Sequence, residues 1–367
     1  MTGRLVLENL KHKPMRSLLS FLIIGVPVTL MLTLVGLSHG MIADSQRRAR
    51  GSGADIVVRG SNAKAALTQS GATLPEKFLD YFAKQPHVKV VMGVVTHAVE
   101  LPLIVNGVDL DRFDEMSGGL KYLEGHGFEH DNDVVVDRYY ANQKKKHAGD
   151  TIELMNRPWR ISGVIEGGKL AHLLVPLRVL QELDSSSGKL TQIYLKLDDP
   201  ANTSAVIAQL QQQLGPDYLI WSMEELASQV QESVNKSGLD DFVIVIVGIG
   251  VVIGFAVVCL SMYMSVLQRT REIGILKSLG GSKAFILRII LFEAMVLGLG
   301  GTALGILMSF GARWAIQKFY PASFQMEMVY GWWPVAAAIT LAAAALGALY
   351  PGLSAARHDP IEALAYE

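Results

Sequence analysis

Leu267-Gln-Arg-Thr-Arg-Glu-Ile-Gly-Ile-Leu-Lys-Ser-Leu-Gly-Gly-Ser282 decides how this chain is built. The segment is short and basic, and it lies between two apolar stretches long enough to cross a bilayer, so it must sit on one membrane face. It carries Arg269, Arg271 and Lys277, with Lys283 and Arg288 just beyond, and only Glu272 opposes them. The bias of Lys and Arg toward cytoplasmic loops assigns that face to the cytoplasm. Ile273, Leu276 and Leu279 recur every three residues, a spacing that predicts one apolar side on a short helix. Gly280-Gly281 should end the helix, because Gly is poor in helix interiors and readily supplies a C-cap. Two readings of such a basic amphipathic helix stand side by side: docking onto a cytoplasmic partner, or lying flat on lipid headgroups.

Composition agrees with a membrane protein that has a large water-exposed part. Half of the 367 residues are hydrophobic, yet there are 33 basic and 34 acidic side chains. The near-zero net charge gives no sign of nucleic-acid binding. Four spans are expected at 17–40, 239–267, 289–312 and 332–353, each near the roughly 20 apolar residues a helix needs to cross. Pro27 falls inside the first, where a bundle tolerates it, and Trp332-Trp333 opens the fourth as an interfacial anchor. The first span is read as retained, since its apolar core exceeds that of a signal peptide and Ser38-His39-Gly40-Met41 offers no small-x-small cleavage site.

Arg4, Lys11, Lys13 and Arg16 place the amino terminus inside, and four spans return the carboxyl terminus to the same side. Residues 1–16 are then cytoplasmic, 268–288 a cytoplasmic loop, 313–331 a short external loop and 354–367 a cytoplasmic tail. The long insertion at 41–238 is extracytoplasmic. Arg47, Arg48 and Arg50 lie on the wrong side for the charge rule, but long domains translocate largely regardless of charge.

The insertion reads as α+β. Strands are expected at 56–58, 88–95, 101–105, 134–136, 151–154, 159–165, 192–197 and 218–221, where branched residues cluster. Helical composition occupies 75–84, 138–146, 176–183, 201–214 and 223–236. Asn156-Arg157-Pro158 and Ala148-Gly149-Asp150 are turn signals, and Ser185-Ser186-Ser187-Gly188 reads as a linker-like turn. The fold class is therefore four transmembrane helices with a large α+β extracytoplasmic domain inserted between the first two.

No catalytic constellation stands out, and no catalytic, cofactor or metal residue is assigned. Glu124-Gly-His126-Gly-Phe-Glu129-His130-Asp131-Asn-Asp133 is the most metal-like cluster, but its two His could ligate together only on a helix that the glycines disfavour, so it reads as a solvated polar loop. No G-x-x-x-x-G-K-[ST] phosphate loop occurs in these residues. Cys259, the single cysteine, sits in an apolar run as a small hydrophobe. Gly250 with Gly254, and Gly301 with Gly305, have the spacing of close helix packing. Glu293 is an acid within the third span, five residues past Arg288, and is expected to pair or cap rather than to move a proton or substrate.

Arg271-Glu-Ile-Gly-Ile-Leu-Lys-Ser-Leu-Gly280 followed by Ile286-Leu-Arg-Ile-Ile-Leu-Phe-Glu-Ala294 resembles the signature of FtsX-like permeases of the MacB and LolC type. Tyr350-Pro-Gly-Leu-Ser-Ala-Ala-Arg-His-Asp-Pro-Ile-Glu-Ala-Leu364 resembles their closing motif, and Leu7 to Leu19 their amino-terminal elbow. Asp55-Ile-Val-Val and Gly149-Asp-Thr-Ile-Glu-Leu154 are similar to the MacB-type outer domain. The resemblance implies a permease subunit of an ABC transporter in a bacterial inner membrane, working as a mechanotransmitter. It implies a cytoplasmic ABC ATPase on a partner chain, holding the ATP and magnesium, and a second permease copy, identical or related. A periplasmic adaptor is left open. In the implied coupling helix, Arg271, Glu272 and Lys277 supply charge, Ile273, Leu276 and Leu279 the apolar face, and Gly274 and Gly280 belong to the motif. Export of a lipid-like, peptide or drug-like substrate is the leading expectation. Signalling to an extracytoplasmic protein without transport, and a membrane scaffold with no ATPase, are the alternatives.

Overall fold

The computed structural model describes residues 14–60, 74–100, 103–236, 239–268, 270–278 and 280–357. Residues 1–13 of the elbow expected at 1–16, Leu279 and the closing motif beyond 357 lie outside them, while residues 14–16 are the start of the first helix. The chain divides into two compact units, Met1–His39 with Asp240–Ala315 and Met326–Glu367, and Gly40–Leu239 with Ile316–Gln325.

The first unit is a bundle of the four apolar helices. Helix α1 (Pro14–Gly51) has 38 residues, about 57 Å at 1.5 Å per residue, against a hydrocarbon thickness of about 30 Å. It runs unbroken through Pro27 and on past the expected span, ending in the second unit. Helix α8 is Leu239–Gln268, α9 Thr270–Ser278, α10 Lys283–Phe319 and α11 Trp332–Arg357. Ile24, Val258, Met262, Ile290, Leu297 and Ala344 form the bundle core. Small residues permit the closest approaches. A Cβ at Gly305 would stand 2.7 Å from Val28 Cβ and 2.8 Å from the Gly25 carbonyl oxygen, and one at Gly301 would stand 2.5 Å from Ile24 Cγ2. Thr29 Oγ1 adds a donated hydrogen bond to the Gly305 carbonyl at 3.1 Å. The Gly301/Gly305 pair therefore packs α10 on α1 within one chain.

The second unit is a mixed sheet whose strand order is β12-β1-β11-β3-β4-β9-β6-β8-β5, with β7 against β8. The strands are β1 (Ile56–Gly60), β3 (Val88–Glu100), β4 (Leu103–Val108), β5 (Tyr122–Gly125), β6 (Asp133–Asp137), β7 (Thr151–Leu154), β8 (Arg157–Ile165), β9 (Leu173–Pro176), β11 (Gln192–Leu197) and β12 (Tyr218–Ser222). A small separate ladder pairs β2 (Leu74–Pro75) with β10 (Lys189–Leu190). Pairing is antiparallel except at β4–β9 and β6–β8.

Both faces of the sheet are covered, which is why its central strands read as unbroken apolar runs. On one face Ile56, Val58, Val95 and Trp159 pack with Phe82, Leu180 and Leu210, from helices α2 (Phe78–Ala83), α5 (Leu177–Leu183) and α6 (Thr203–Leu214). On the other face Val57, Met92 and Val94 meet Phe113 and Met116 of α3 (Leu110–Ser117) and Leu226 of α7 (Met223–Lys236). Helix α4 (Arg138–Lys144) follows β6.

Two expected turns are refined by the geometry. Leu154 pairs with Arg157, leaving Met155 and Asn156 as a two-residue loop, both at positive φ; that is the hairpin geometry whose twist suits antiparallel strands. The turn therefore precedes Arg157-Pro158, which already belong to β8. Gly149, at φ 96°, makes the second turn, and Asp150 Oδ2 accepts from the His147 amide at 2.9 Å.

Candidate functional site

The basic segment folds as expected into a short helix, α9, between α8 and α10. Its end is closed by backbone chemistry: Gly280 adopts φ 91°, and the Gly281 amide donates to the Leu276 carbonyl at 2.9 Å. This is the Schellman arrangement, which satisfies a carbonyl that a helix terminus otherwise leaves open. Ser282 then starts α10, its Oγ accepting from the Phe285 amide at 3.2 Å. Two helix ends are thus capped within a few residues of each other.

Burial divides α9 differently from the three-residue spacing. Ile273 is half-buried and packs on the bundle core near Val266 and Ile286, and Gly274 is buried. Ile275 and Leu276 are the outward apolar pair, 44% and 38% exposed. At 100° per residue, Ile273 and Gly274 define the inward side, so Ile275 joins Leu276 on the free side. The side chains of Arg271, Glu272 and Lys277 lie outside the described set, as does Leu279.

Glu293 is buried between the second and third spans, where Ser265 Oγ donates to its Oε1 at 3.4 Å. A polar partner is what an acid at bundle depth requires. Gly250 faces Pro27, whose Cβ would lie 2.9 Å from an added Cβ, whereas Gly254 has open space and lines an apolar cavity of about 30 Å³. The four glycines thus play unequal parts.

In the sheet unit the metal-like cluster proves to be an ion-paired loop. Asp133 is fully buried. Its carboxylate accepts from Arg160 Nε at 2.9 Å and Nη2 at 3.1 Å, and from the Glu129 and His130 amides at 2.8 and 2.9 Å. Burial alone would raise this carboxyl, but the Arg160 hydrogen bonds and the two amides outweigh it and bring it to about 2. Its lone pairs are therefore committed to structure. Nearby, the hydrogen bond from His147, helped by the Ala148 amide, holds Glu124 below the usual carboxylate range.

A second constellation carries no signature in the sequence. Asp44 and Arg48, on the last turns of α1, meet His172 and Asp137. Arg48 Nη1 lies 2.8 Å from Asp44 Oδ2 and bonds His172 Nε2. His172 Nδ1 donates to Asp137 Oδ2 at 2.6 Å, and Asp137 Oδ1 caps α4 by accepting from the Tyr140 amide at 2.9 Å. Asp44, His172 and Asp137 are 6%, 2% and 1% exposed. Beside this chain lies a crevice of about 50 Å³ lined by Ser45, Arg48, Asn106, Tyr194 and Leu226 among others, room for a few waters. Burial pushes the Tyr194 phenol up to about 12. The end of α1 is thus bonded to His172, in the segment entering β9, and through it to Asp137 at the end of β6.

Known proteins share both halves of this arrangement. Residues 17–213 match the MacB-like periplasmic core domain, and residues 244–360 match the FtsX-like permease C-terminal model. The macrolide export ATP-binding/permease protein MacB of Shigella sonnei is 27% identical over 388 residues, covering 96% of this chain and 58% of its own length. Its counterpart in Escherichia coli K12 is 26% identical with the same coverage, so the chain spans well under two thirds of these relatives. The periplasmic region of MacB from Actinobacillus actinomycetemcomitans aligns with 50% of this chain and 95% of its own, at 18% identity and a TM-score of 0.36. With a MacB-type core domain over more than half its length and an FtsX-like carboxyl-terminal bundle, this multi-pass membrane protein belongs to the MacB/FtsX-type family of ABC transporter permeases.

Proposed function

We propose that this chain is the transmembrane, non-catalytic subunit of an ABC exporter, relaying ATP-driven motion of a separate ATPase subunit to its sheet domain. The observation that carries the reading is α9: a short helix capped at its end, held between two spans, with Ile275 and Leu276 turned outward. Arg271, Glu272 and Lys277 supply its charges, and the ATPase holds ATP and magnesium. In this reading both chain termini and α9 are cytoplasmic, and the sheet domain is extracytoplasmic at a bacterial inner membrane.

Transmission begins when the ATPases close and displace α9. Ile273, packed on the bundle core, carries the displacement into the bundle, and α1, continuous through the bilayer, carries it to the Asp44–Arg48–His172–Asp137 chain. There a buried, hydrogen-bonded joint resists slippage between helix and sheet, since separating its members would strand buried charges. A second permease copy completes the assembly. We place it against α8, the least covered span, whose most apolar window is 11% buried against 39–44% for the others. The substrate is moved by the outer domain, and a lipid-like, peptide or drug-like molecule suits a bundle with so few polar positions; a periplasmic adaptor is a further partner of this reading.

Copurification tests it. The cytoplasmic ABC ATPase of this reading, co-expressed with the chain, should copurify with wild type, and Leu276→Asp should reduce recovery at least about tenfold, as expected for an apolar contact replaced by a desolvated charge. Leu123→Asp, on an exposed site of the sheet domain, serves as control and should have no effect. Equal recovery with Leu276→Asp would remove α9 from the docking surface.

A further inference from the structure

The third span also ends in the sheet unit. Helix α10 runs without a break from Lys283 to Phe319, and residues Ile316–Gln325, its last turn and the loop that follows, belong to the sheet domain's compact unit. One side chain of that domain holds the loop. Gln143 of α4 accepts at Oε1 from the Ala322 amide at 2.8 Å and the Ser323 amide at 3.3 Å, and its Nε2 donates to Ser323 Oγ at 3.0 Å. Ala322 is 6% exposed and joins the sheet domain's main core cluster. Arg47 Nη2 donates to Gln325 Oε1 at 3.1 Å. Immediately beyond, and within the bundle, the Glu327 amide donates to the Gly36 carbonyl at 3.0 Å. A Cβ at Gly36 would come 2.6 Å from the Glu327 carbonyl oxygen.

We propose that Gln143 is a positioning residue of the power stroke, and that its clamp on Ala322-Ser323 makes the third span a strut to the sheet domain alongside α1. The inference rests on the permease reading. Its physical basis is the pattern of bonding. Adjacent backbone amides in a tight loop have no ladder to join, and one carboxamide takes both while returning a donor to Ser323. Asp137, at the end of β6, caps the start of α4, and Gln143 lies near its end, so the His172–Asp137 link from α1 and the clamp on the loop after α10 lie at the two ends of one short helix. The end of α1 meets the sheet through His172 and Asp137, and the loop after α10 meets it through Gln143 of α4. Glutamate at 143 keeps the oxygen that accepts from both amides and can accept from the Ser323 hydroxyl, whereas alanine removes the clamp entirely.

Hydrogen exchange of the full chain in nanodiscs, with its ATPase and with or without ATP, decides the matter. In Gln143→Ala, amides of 320–325 should exchange about tenfold faster, the scale of losing a pair of modest hydrogen bonds. ATP turnover should stay within about twofold of wild type, while the ATP-dependent change in exchange over 133–144 falls by at least half. Gln143→Glu should restore both the loop protection and the response, which a merely misfolded alanine variant would not explain. Unchanged loop exchange in Gln143→Ala, or a full ATP response despite an opened loop, overturns the clamp alone. A wild-type complex whose sheet domain never responds to ATP overturns the permease reading and the strut with it.

Discussion

Asp133 shows how a single side chain can look like chemistry and serve structure. Its carboxyl, held near 2 by Arg160 and two amides, is depressed below an unfolded value near 3.9. The sign follows from linkage: the contribution is fully present above pH about 4 and disappears as pH falls through about 2. Unfolding followed by the fluorescence of Trp159, fully buried on β8, should show the sheet domain weakening across that window. Asp133→Asn should flatten that pH dependence and lower stability at neutral pH by on the order of 1–2 kcal/mol, reduced because Arg160 is partly solvated. At the root of α1, Arg48→Met leaves buried Asp44 with only the exposed Arg47 guanidinium, 3.9 Å away, a loss of about 3 kcal/mol. Asp44→Asn in the same chain should recover part of it, and urea unfolding of the two variants reads the difference. An equal loss in both would mean that Arg48 acts through packing rather than charge.

Among the elements, the bundle makes the sharper prediction. Gly305→Ala must push Val28 or the Gly25 carbonyl aside, and overpacking of that kind costs about 1–3 kcal/mol. Gly254→Ala meets open space and should be neutral within about 0.5 kcal/mol. A thermal melt in nanodiscs separates the two, and equal melting would mean α1 and α10 are not in the contact described. The sequence made these spans legible because apolar length is a strong signal, and it located β7, β11 and α7 because branched residues or helical composition fill them from end to end. Four strands escaped it. Leu173-Leu-Val-Pro176 is a four-residue apolar run that periodicity cannot assign, and β5 is an exposed edge strand with little apolar character. Strands β2 and β10 have two residues each. Helix α3 was missed because charges crowd its sequence and only Leu110, Phe113 and Met116 repeat. Its signals were present nonetheless: Asp109 accepts from the Asp111 and Arg112 amides, and Gly118 closes it in the left-handed region. The position of α9 was legible from charge and hydropathy, but its inward side was not, because Ile273 and Leu276 differ by only 60° on the helix and packing alone chooses between them.

At the scale of the molecule, two long helices begin in the bundle and end in the sheet unit: Arg48 of α1 bonds His172, which bonds Asp137 at the end of β6, and the loop that follows α10 bonds Gln143 of α4. None of that was readable beforehand. Asp44, Arg48, Asp137 and His172 are scattered over more than a hundred positions, and Gln143 and Ala322 are farther apart still, so only the folded sheet brings them together. Apolar length and charge bias located the spans and α9; only the folded chain shows which side chains hold the ends of α1 and of the loop after α10. The central claim is that α9 is the input. It is tested most directly by ATP turnover of the full complex in nanodiscs, wild type against Glu272→Arg. A coupling helix predicts that reversing this charge dissociates the ATPase or changes turnover by about tenfold or more, equivalent to about 1.4 kcal/mol. An intact complex with unchanged turnover would contradict it.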